Sequence, residues 1–133
     1  VWIPAMIFGE LLTSSNYDKN QKRITGGKNG YGAKLTNIFS RSFKVETIDG
    51  KEKKKFVMLF ENNMKNKHKP KITTNNSKPF VQITFIPDFS KFGLNGFTDD
   101  IYNLMKKRVY DISACSNKMV NVYFNGDRIK EKI

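Results

Sequence analysis

Apolar residues recur along this chain in two rhythms, and the switches between them mark out its elements. In "PAMIFGELL", residues 4 to 12, Ile7, Phe8, Leu11 and Leu12 fall at helical spacing behind Pro4, which suits a first helical position. A short helix ending near Thr13 is expected. The same rhythm returns at Leu35, Ile38 and Phe39, predicting a second helix from Ala33 onward. From Phe43 the period becomes two: Phe43, Val45 and Thr47 alternate, the chain turns at Asp49-Gly50, and Phe56, Met58 and Phe60 resume opposite Val57 and Leu59. That is a β-hairpin with one polar edge. After a lysine- and asparagine-rich connector from Asn62 to Pro79, "FVQITFIPDF" supplies a third strand closed by Pro87.

Helical spacing then returns once more. Thr98 offers an N-cap, Asp99 and Asp100 sit in the first turn, and Lys106, Lys107 and Arg108 come later. Ile101, Leu104, Met105 and Ile112 form the expected buried stripe of this helix. Val120, Val122 and Phe124 alternate as a last strand, and Asn125-Gly126 signals a hairpin turn. Strands joined by hairpins, with helices gathered to one side, predict an α+β two-layer sandwich whose mixed sheet is mostly antiparallel and carries its helices on one face. The expectation is one partial domain over residues 1 to 133. The chain starts at Val1 rather than Met and stops just after a hairpin opens, so it reads as a piece cut at both ends.

Composition changes this picture in two respects. The single cysteine, Cys115, excludes an internal disulfide and has no partner at zinc-ligand spacing; a small buried hydrophobe is its expected role. The formal charge of +12 favours a polyanionic partner, such as nucleic acid, nucleotide phosphate or an anionic membrane surface, although a general Lys and Asn bias contributes to it. No apolar run is long enough to cross a bilayer, and no membrane partner is expected.

Chemistry concentrates in "TGGKNGYGAKL", residues 25 to 35, whose glycines end the long polar connection "TSSNYDKNQKRITGGKNGYG". Connections of that length are uncommon unless they do something. A glycine-rich turn running into a helix start gathers unpaired N–H groups and the positive end of the helix dipole, as a phosphate site requires. The two familiar phosphate patterns fail: Ala33 stands where a P-loop needs Lys, and Leu35 where a dinucleotide fingerprint needs Gly. What remains is Gly27-x-x-Gly30-x-Gly32, with Lys34 one step into the helix. Ser14, Ser15 and Asn16 add small polar groups suited to phosphate or ribose oxygens, or equally to capping the first helix.

The longer run "LLTSSNYDKNQKRITGGKNGYGAKLTNIFS" resembles the ATP-binding segment of eukaryotic type II DNA topoisomerases, in the ATPase superfamily shared with gyrase, histidine kinases, MutL and a heat-shock chaperone. "ITFIPDFSKFG", "KKRVYDIS" and "VYFNG" are similar to that family in the same order, so the resemblance covers nearly the whole chain. It implies an incomplete Bergerat-type ATPase fold, with an ATP lid over about residues 14 to 32. It also implies a homodimeric nuclear parent enzyme that couples ATP binding and hydrolysis to passage of double-stranded DNA. Ser14, Ser15 and Asn16 match the segment that contacts ribose and phosphates, and Gly27, Lys28, Asn29, Gly30, Tyr31, Gly32, Ala33 and Lys34 match the segment that wraps the phosphates. Lys34 would add charge near the phosphates, and Tyr31 would form a wall of the loop.

The resemblance also implies absences. The general-base Glu, the Asn that holds Mg²⁺ and the adenine-binding Asp would all precede Val1, the γ-phosphate lysine would follow Ile133, and the DNA-cleaving Tyr belongs to another domain. No catalytic residue and no metal ligand is therefore expected within the 133 residues, and the fragment alone is expected to be inactive. Val81 stands where relatives often carry Thr, which touches an adenine-side contact.

The remaining polar clusters have plainer readings. His68 sits among lysines as a solvated loop residue, since a general base needs a cleft and a partner. Asp99 and Asp100 diverge by about 100° on a helix and complement its dipole rather than forming a catalytic pair. The run Lys51 to Lys55 reads as a soluble edge that discourages strand pairing, with DNA contact as the rival reading. Two functions from different classes thus stand: an ATP-binding part of a type II topoisomerase, or a small basic nucleic-acid-binding module without nucleotide chemistry.

Overall fold

The structure, a computed structural model, describes residues 2–10 and 30–131. These fall into two compact units, Val1–Lys91 and Phe92–Ile133.

The first unit is built on a long hairpin. Strand β1 (Ser40–Asp49) pairs antiparallel with β2 (Lys54–Glu61) on one side and with β5 (Phe80–Pro87) on the other. The registers set Phe43 between Phe60 and Phe85, and Val45 between Met58 and Ile83. Period-two alternation therefore sends Phe43, Val45, Phe56, Met58 and Phe60 to one face, where they form the buried core. The Phe43 ring lies 6.3 Å from Phe60 and 6.2 Å from Phe85, centroid to centroid. The opposite face carries Lys44 and Glu46, in ion-pair contact at 3.4 Å, together with Gln82 and Thr84. That second face is mixed rather than polar, since the register sets Leu59 beside Lys44 and Val57 beside Glu46.

The connector between β2 and β5 holds more structure than its composition suggests. Two short strands, β3 (Asn66–Lys67) and β4 (Lys71–Thr74), both pair antiparallel with β2. Phe60 faces Lys67 but Val57 faces Lys71, so the register slips by one residue between them. Pro70 lies in the slip, where a residue that cannot donate to the ladder is accommodated. The polar, asparagine-rich alphabet hid this edge from period analysis. Every strand pairing among the described residues is antiparallel.

Helix α1 (Ile3–Gly9) carries Pro4 in its first turn, as expected, and lays Ala5 and Phe8 on the core. Phe8 stacks 5.9 Å from Phe43. Its predicted partner Ile7 is exposed instead, and Leu11, Leu12 and Thr13 lie outside the described residues. Helix α2 (Gly32–Ile38) corrects the expected face more sharply. Leu35 and Phe39 are exposed and Ile38 is half-buried, while Lys34 and Asn37 are buried. The reason is the neighbour: α2 packs against α1, and Asn37 Nδ2 donates to the Phe8 carbonyl at 3.1 Å, so the buried face is chosen by a hydrogen bond.

The second unit is one helix on a hairpin. In α3 (Asp99–Cys115) Thr98 Oγ1 accepts from the Ile101 N–H at 3.2 Å, the predicted cap. Strands β6 (Val122–Phe124) and β7 (Asp127–Ile129) turn through Asn125 and Gly126, whose φ values of 50° and 83° give the left-handed pair that an Asn-Gly hairpin uses. The buried stripe of α3 is not the predicted one. Leu104, Met105 and Ile112 are exposed and Ile101 is half-buried, whereas Tyr102 packs on Phe124 at 5.5 Å and Ser113 is buried, donating to the Glu131 carbonyl at 2.9 Å. The hairpin selected the face of the helix that holds Tyr102 and Ser113. Cys115, expected inside, is exposed at the last turn of α3.

Candidate functional site

Of the residues picked out as a nucleotide site, Ser14, Ser15, Asn16, Gly27, Lys28 and Asn29 lie outside the described residues. Gly30, Tyr31, Gly32, Ala33 and Lys34 form the entry to α2. Gly30 has φ of 72°, a left-handed turn that brings the chain to the helix start. Tyr31 is the N-cap residue without a side-chain cap, and its ring is exposed. The first intrahelical bond runs from Leu35 N to the Tyr31 carbonyl at 2.8 Å. Helix geometry thus leaves the N–H groups of Gly32, Ala33 and Lys34 without intrahelical acceptors. A Cβ built at Gly32 would meet nothing within 4 Å, so no internal packing requires glycine there.

Lys34 is 1% exposed, and its ammonium donates to the Gly30 carbonyl at 2.8 Å. Burial pushes its pKa below the usual lysine value. The side chain therefore fastens the loop to the helix one turn later rather than standing free in solvent. One turn further along the same face, Asn37 is fully buried and its Oδ1 has no hydrogen-bond partner.

The far end of α2 is bolted down by residues that sequence reasoning passed over. Asn63 Nδ2 donates to the Ile38 carbonyl at 2.9 Å and to Asp88 Oδ2 at 3.1 Å, while the Asp88 N–H donates to the Phe39 carbonyl at 2.8 Å. Asn62, Asn63 and Met64 all take positive φ, which lets the turn after β2 fold back under the helix. Ser90 donates to Asp88 Oδ1 at 2.6 Å and Arg41 lies 3.8 Å away. The Asp88 carboxyl is held below the ordinary range by the Ser90 hydrogen bond first, then by Asn63, Arg41 and Lys91, against the opposing effect of burial. Only the paired asparagines in "ENNMK" signalled a left-handed turn; nothing in the sequence ties them to Asp88.

Two hollows open elsewhere on the first unit. One, of about 560 Å³, is lined by Trp2, Ile48, Phe56, Phe80 and Val81 among others; the second, of about 540 Å³, by Gly9, Asn63, Met64 and Lys67 among others. Neither is lined by Gly30 to Lys34. Val81 sits on β5 opposite Thr47, 69% exposed. Among the described residues no group of three or more His, Cys, Asp or Glu side chains could hold a metal ion, and no helix is long and apolar enough to cross a membrane. His68 is exposed, with Nε2 2.7 Å from Glu61 Oε1.

Comparison with known proteins gives this geometry its context. No family model matches the chain. DNA topoisomerase 2 of Arabidopsis thaliana is 54% identical over 133 residues, 99% of this chain and 9% of that protein. The Acanthamoeba polyphaga mimivirus DNA topoisomerase 2 is 53% identical over 129 residues, 97% of this chain and 10% of that protein. Among solved structures, the ATPase region of Saccharomyces cerevisiae topoisomerase II superposes with a TM-score of 0.93 at 49% identity, covering 99% of this chain and 35% of that one. The same yeast region bound to ICRF-187 (dexrazoxane) superposes at 0.92. The chain thus spans about a tenth of the length of the curated relatives it matches.

Fold and match define the class: an α+β segment whose backbone matches part of the yeast ATPase region. The chain belongs to the type II DNA topoisomerase family. A basic module without nucleotide chemistry finds no support among these relatives.

Proposed function

We propose that this chain is the lid and phosphate-loop part of the ATPase region of a type II DNA topoisomerase. In the parent enzyme, a nuclear homodimer, ATP binding orders the lid over about residues 14 to 32 and helps close a gate on a transported DNA duplex, and hydrolysis resets it. The observation that carries the reading is the half-identity match along nearly the whole chain to proteins of that name, with the same backbone as a solved ATPase region.

The described residues fit a triphosphate. The amides of Gly32, Ala33 and Lys34, without intrahelical acceptors, lie at the positive end of α2, and the open space where a Gly32 Cβ would stand leaves room for a ligand's close approach. Lys34 acts from below, fixing the Gly30 carbonyl and thereby the turn that aims those amides. Gly27, Lys28 and Asn29 would continue the amide cradle, and Ser14, Ser15 and Asn16 would reach ribose and phosphate oxygens. Tyr31 would wall the loop. Bound ATP supplies the hydrolysable γ-phosphate. Mg²⁺ and the general base would be held by residues that the resemblance places upstream of Val1.

The test grafts this chain in place of the matching segment of the yeast ATPase region and titrates a fluorescent ATP analogue. Gly30→Val and Gly32→Val should each weaken binding by tenfold or more while far-UV circular dichroism stays unchanged. Unaltered affinity in both variants would overturn the reading.

A further inference from the structure

The positive charge of the chain is concentrated. Residues 51 to 78 hold nine lysines and two glutamates, a net seven of the twelve positive charges, in about a fifth of the length. A general lysine bias would spread charge evenly; the fold instead gathers it on one edge of the first unit's sheet. Pairing of β4 with β2 sets Lys55 opposite Thr73 and Val57 opposite Lys71, so the tip of the hairpin and the outer strand form one continuous border.

That border is built to keep its shape. At the tip, Asp49 Oδ1 accepts from the N–H groups of Lys51 and Glu52 at 2.8 and 3.2 Å, and the Asn75 N–H donates to the Lys53 carbonyl at 2.8 Å. Gly50 lies so close to the Pro79 ring that a Cβ there would strike it, which pins the return segment to the turn. Lysines on such a frame need less ordering when they engage a partner. The Lys67 ammonium is engaged with the Gly9 carbonyl, and Lys54 sits 6.0 Å from the Trp2 ring. Among the described residues, no carboxylate makes an ion pair with Lys51, Lys53, Lys55, Lys69, Lys71 or Lys78.

We infer that this edge is a docking surface for the phosphate backbone of double-stranded DNA, a contact that rests on the topoisomerase reading above. The companions of the lysines select the partner. Residues 61 to 78 contain no Phe, Trp or Tyr, and at the tip Phe56 is buried and Trp2 sits beside Lys54, so the outer border that bears Lys69 and Lys71 carries no row of rings for single-stranded bases to stack on. Thr73, Asn75, Asn76 and Ser77 offer neutral hydrogen-bonding groups of the kind that position proteins on phosphates. In length, the eight residues of β2 run roughly 25 Å, about seven base pairs of duplex. The contact reads backbone only, so it is independent of base sequence.

Fluorescence anisotropy of the full 133-residue chain on a labelled 20-base-pair duplex, between 50 and 300 mM KCl, tests the inference. Replacing Lys51, Lys53, Lys69 and Lys71 together by Gln should lower the slope of log K against log[salt] by about 2 to 4 and weaken binding tenfold or more at 100 mM. A control with Lys106, Lys107, Arg108 and Lys118 replaced by Gln removes the same charge elsewhere and should leave both nearly unchanged. Equal losses in the two variants, no binding by the native chain at 100 mM salt, or equal or tighter binding to single-stranded RNA or to phosphatidylserine vesicles would overturn it. Should circular dichroism find the chain unfolded by itself, the same titrations on the grafted yeast region decide. ATP binding by the graft separates the two proposals: the lysine variants leave it intact, whereas Gly30→Val removes it and leaves the salt slope alone.

Discussion

Lys34 Nζ donates to the Gly30 carbonyl at 2.8 Å, across one turn at the mouth of α2, from a side chain that is 1% exposed. A buried ammonium is costly, and it is retained where its hydrogen bond does something an apolar residue would not. Here it fixes the carbonyl of Gly30, which enters the helix through a left-handed turn. Lys34→Met should therefore weaken ATP-analogue binding by the grafted ATPase region about tenfold while leaving its thermal midpoint unchanged or raised. The two also differ with pH. Burial sets the native pKa of Lys34 below its unfolded value, so above that native pKa the unfolded state binds more protons and stability rises with pH until about 10.4. The methionine variant should lose that rise in melts between pH 8 and 10.5.

Asn63 and Asp88 form the counterpart at the other end of the helix. Removing the amide in Asn63→Ala leaves the Ile38 carbonyl and a buried carboxylate oxygen short of a donor and puts a less tolerant residue at φ of 57°. A loss of about 1–3 kcal/mol is expected in chemical denaturation. Asp88 has its native pKa depressed, so its stabilising contribution is complete above the ordinary carboxylate pKa and is lost as pH falls through the lower native value. Asp88→Asn should flatten the acid limb of a stability profile below about pH 4. An unchanged limb would show that the Ser90 and Asn63 bonds do not favour the charged form.

What the sequence disclosed and what it hid follow one physical line. Strands with one covered face announced themselves, because Phe43, Val45, Phe56, Met58 and Phe60 alternate with polar residues, and the Thr98 cap and Asn125-Gly126 turn are local chemistry. Helix faces were misread wherever a specific partner outvoted the apolar count. Asn37 is inside because the Phe8 carbonyl faces it, and Ser113 because the carbonyl of Glu131 does, so Leu35, Leu104 and Ile112 are left exposed. Strands β3 and β4 were hidden because an edge made of lysine, asparagine and threonine has no hydrophobic period. At the candidate site the glycine spacing was legible, but the Lys34 clasp and the Asn63–Asp88 bolt depend on side chains meeting across 4 and 25 residues.

Phe43 is the hub of the core. It is 1% exposed, and its ring neighbours Phe8, Phe60 and Phe85, which come from α1, β2 and β5. Phe43→Ala removes the common partner of three elements and should cost about 3–5 kcal/mol, read as a lower denaturation midpoint. Phe85→Ala, at a half-exposed ring on the sheet edge, should cost clearly less. Equal costs would mean that the aromatic cluster is not centred on β1.

Strand β5 carries the last prediction. "FVQITFIP" has no charged residue, ends the strand order of the described sheet and exposes Val81 and Ile86. Its opposite number across the sheet, the β3–β4 border, bears lysines and a proline, the features that keep an edge from pairing with another chain. Apart from Pro87 at its last position β5 has no such guard, and an uncharged, apolar edge invites strand addition. The isolated chain should accordingly self-associate with rising concentration, and the effect should grow with salt as its mutual charge repulsion is screened. Ile86→Lys should suppress the association in sedimentation velocity, and a charge of the same sign added at Thr73 should leave it unaltered. If both substitutions act alike, the association runs through overall charge and the β5 edge has no part in it.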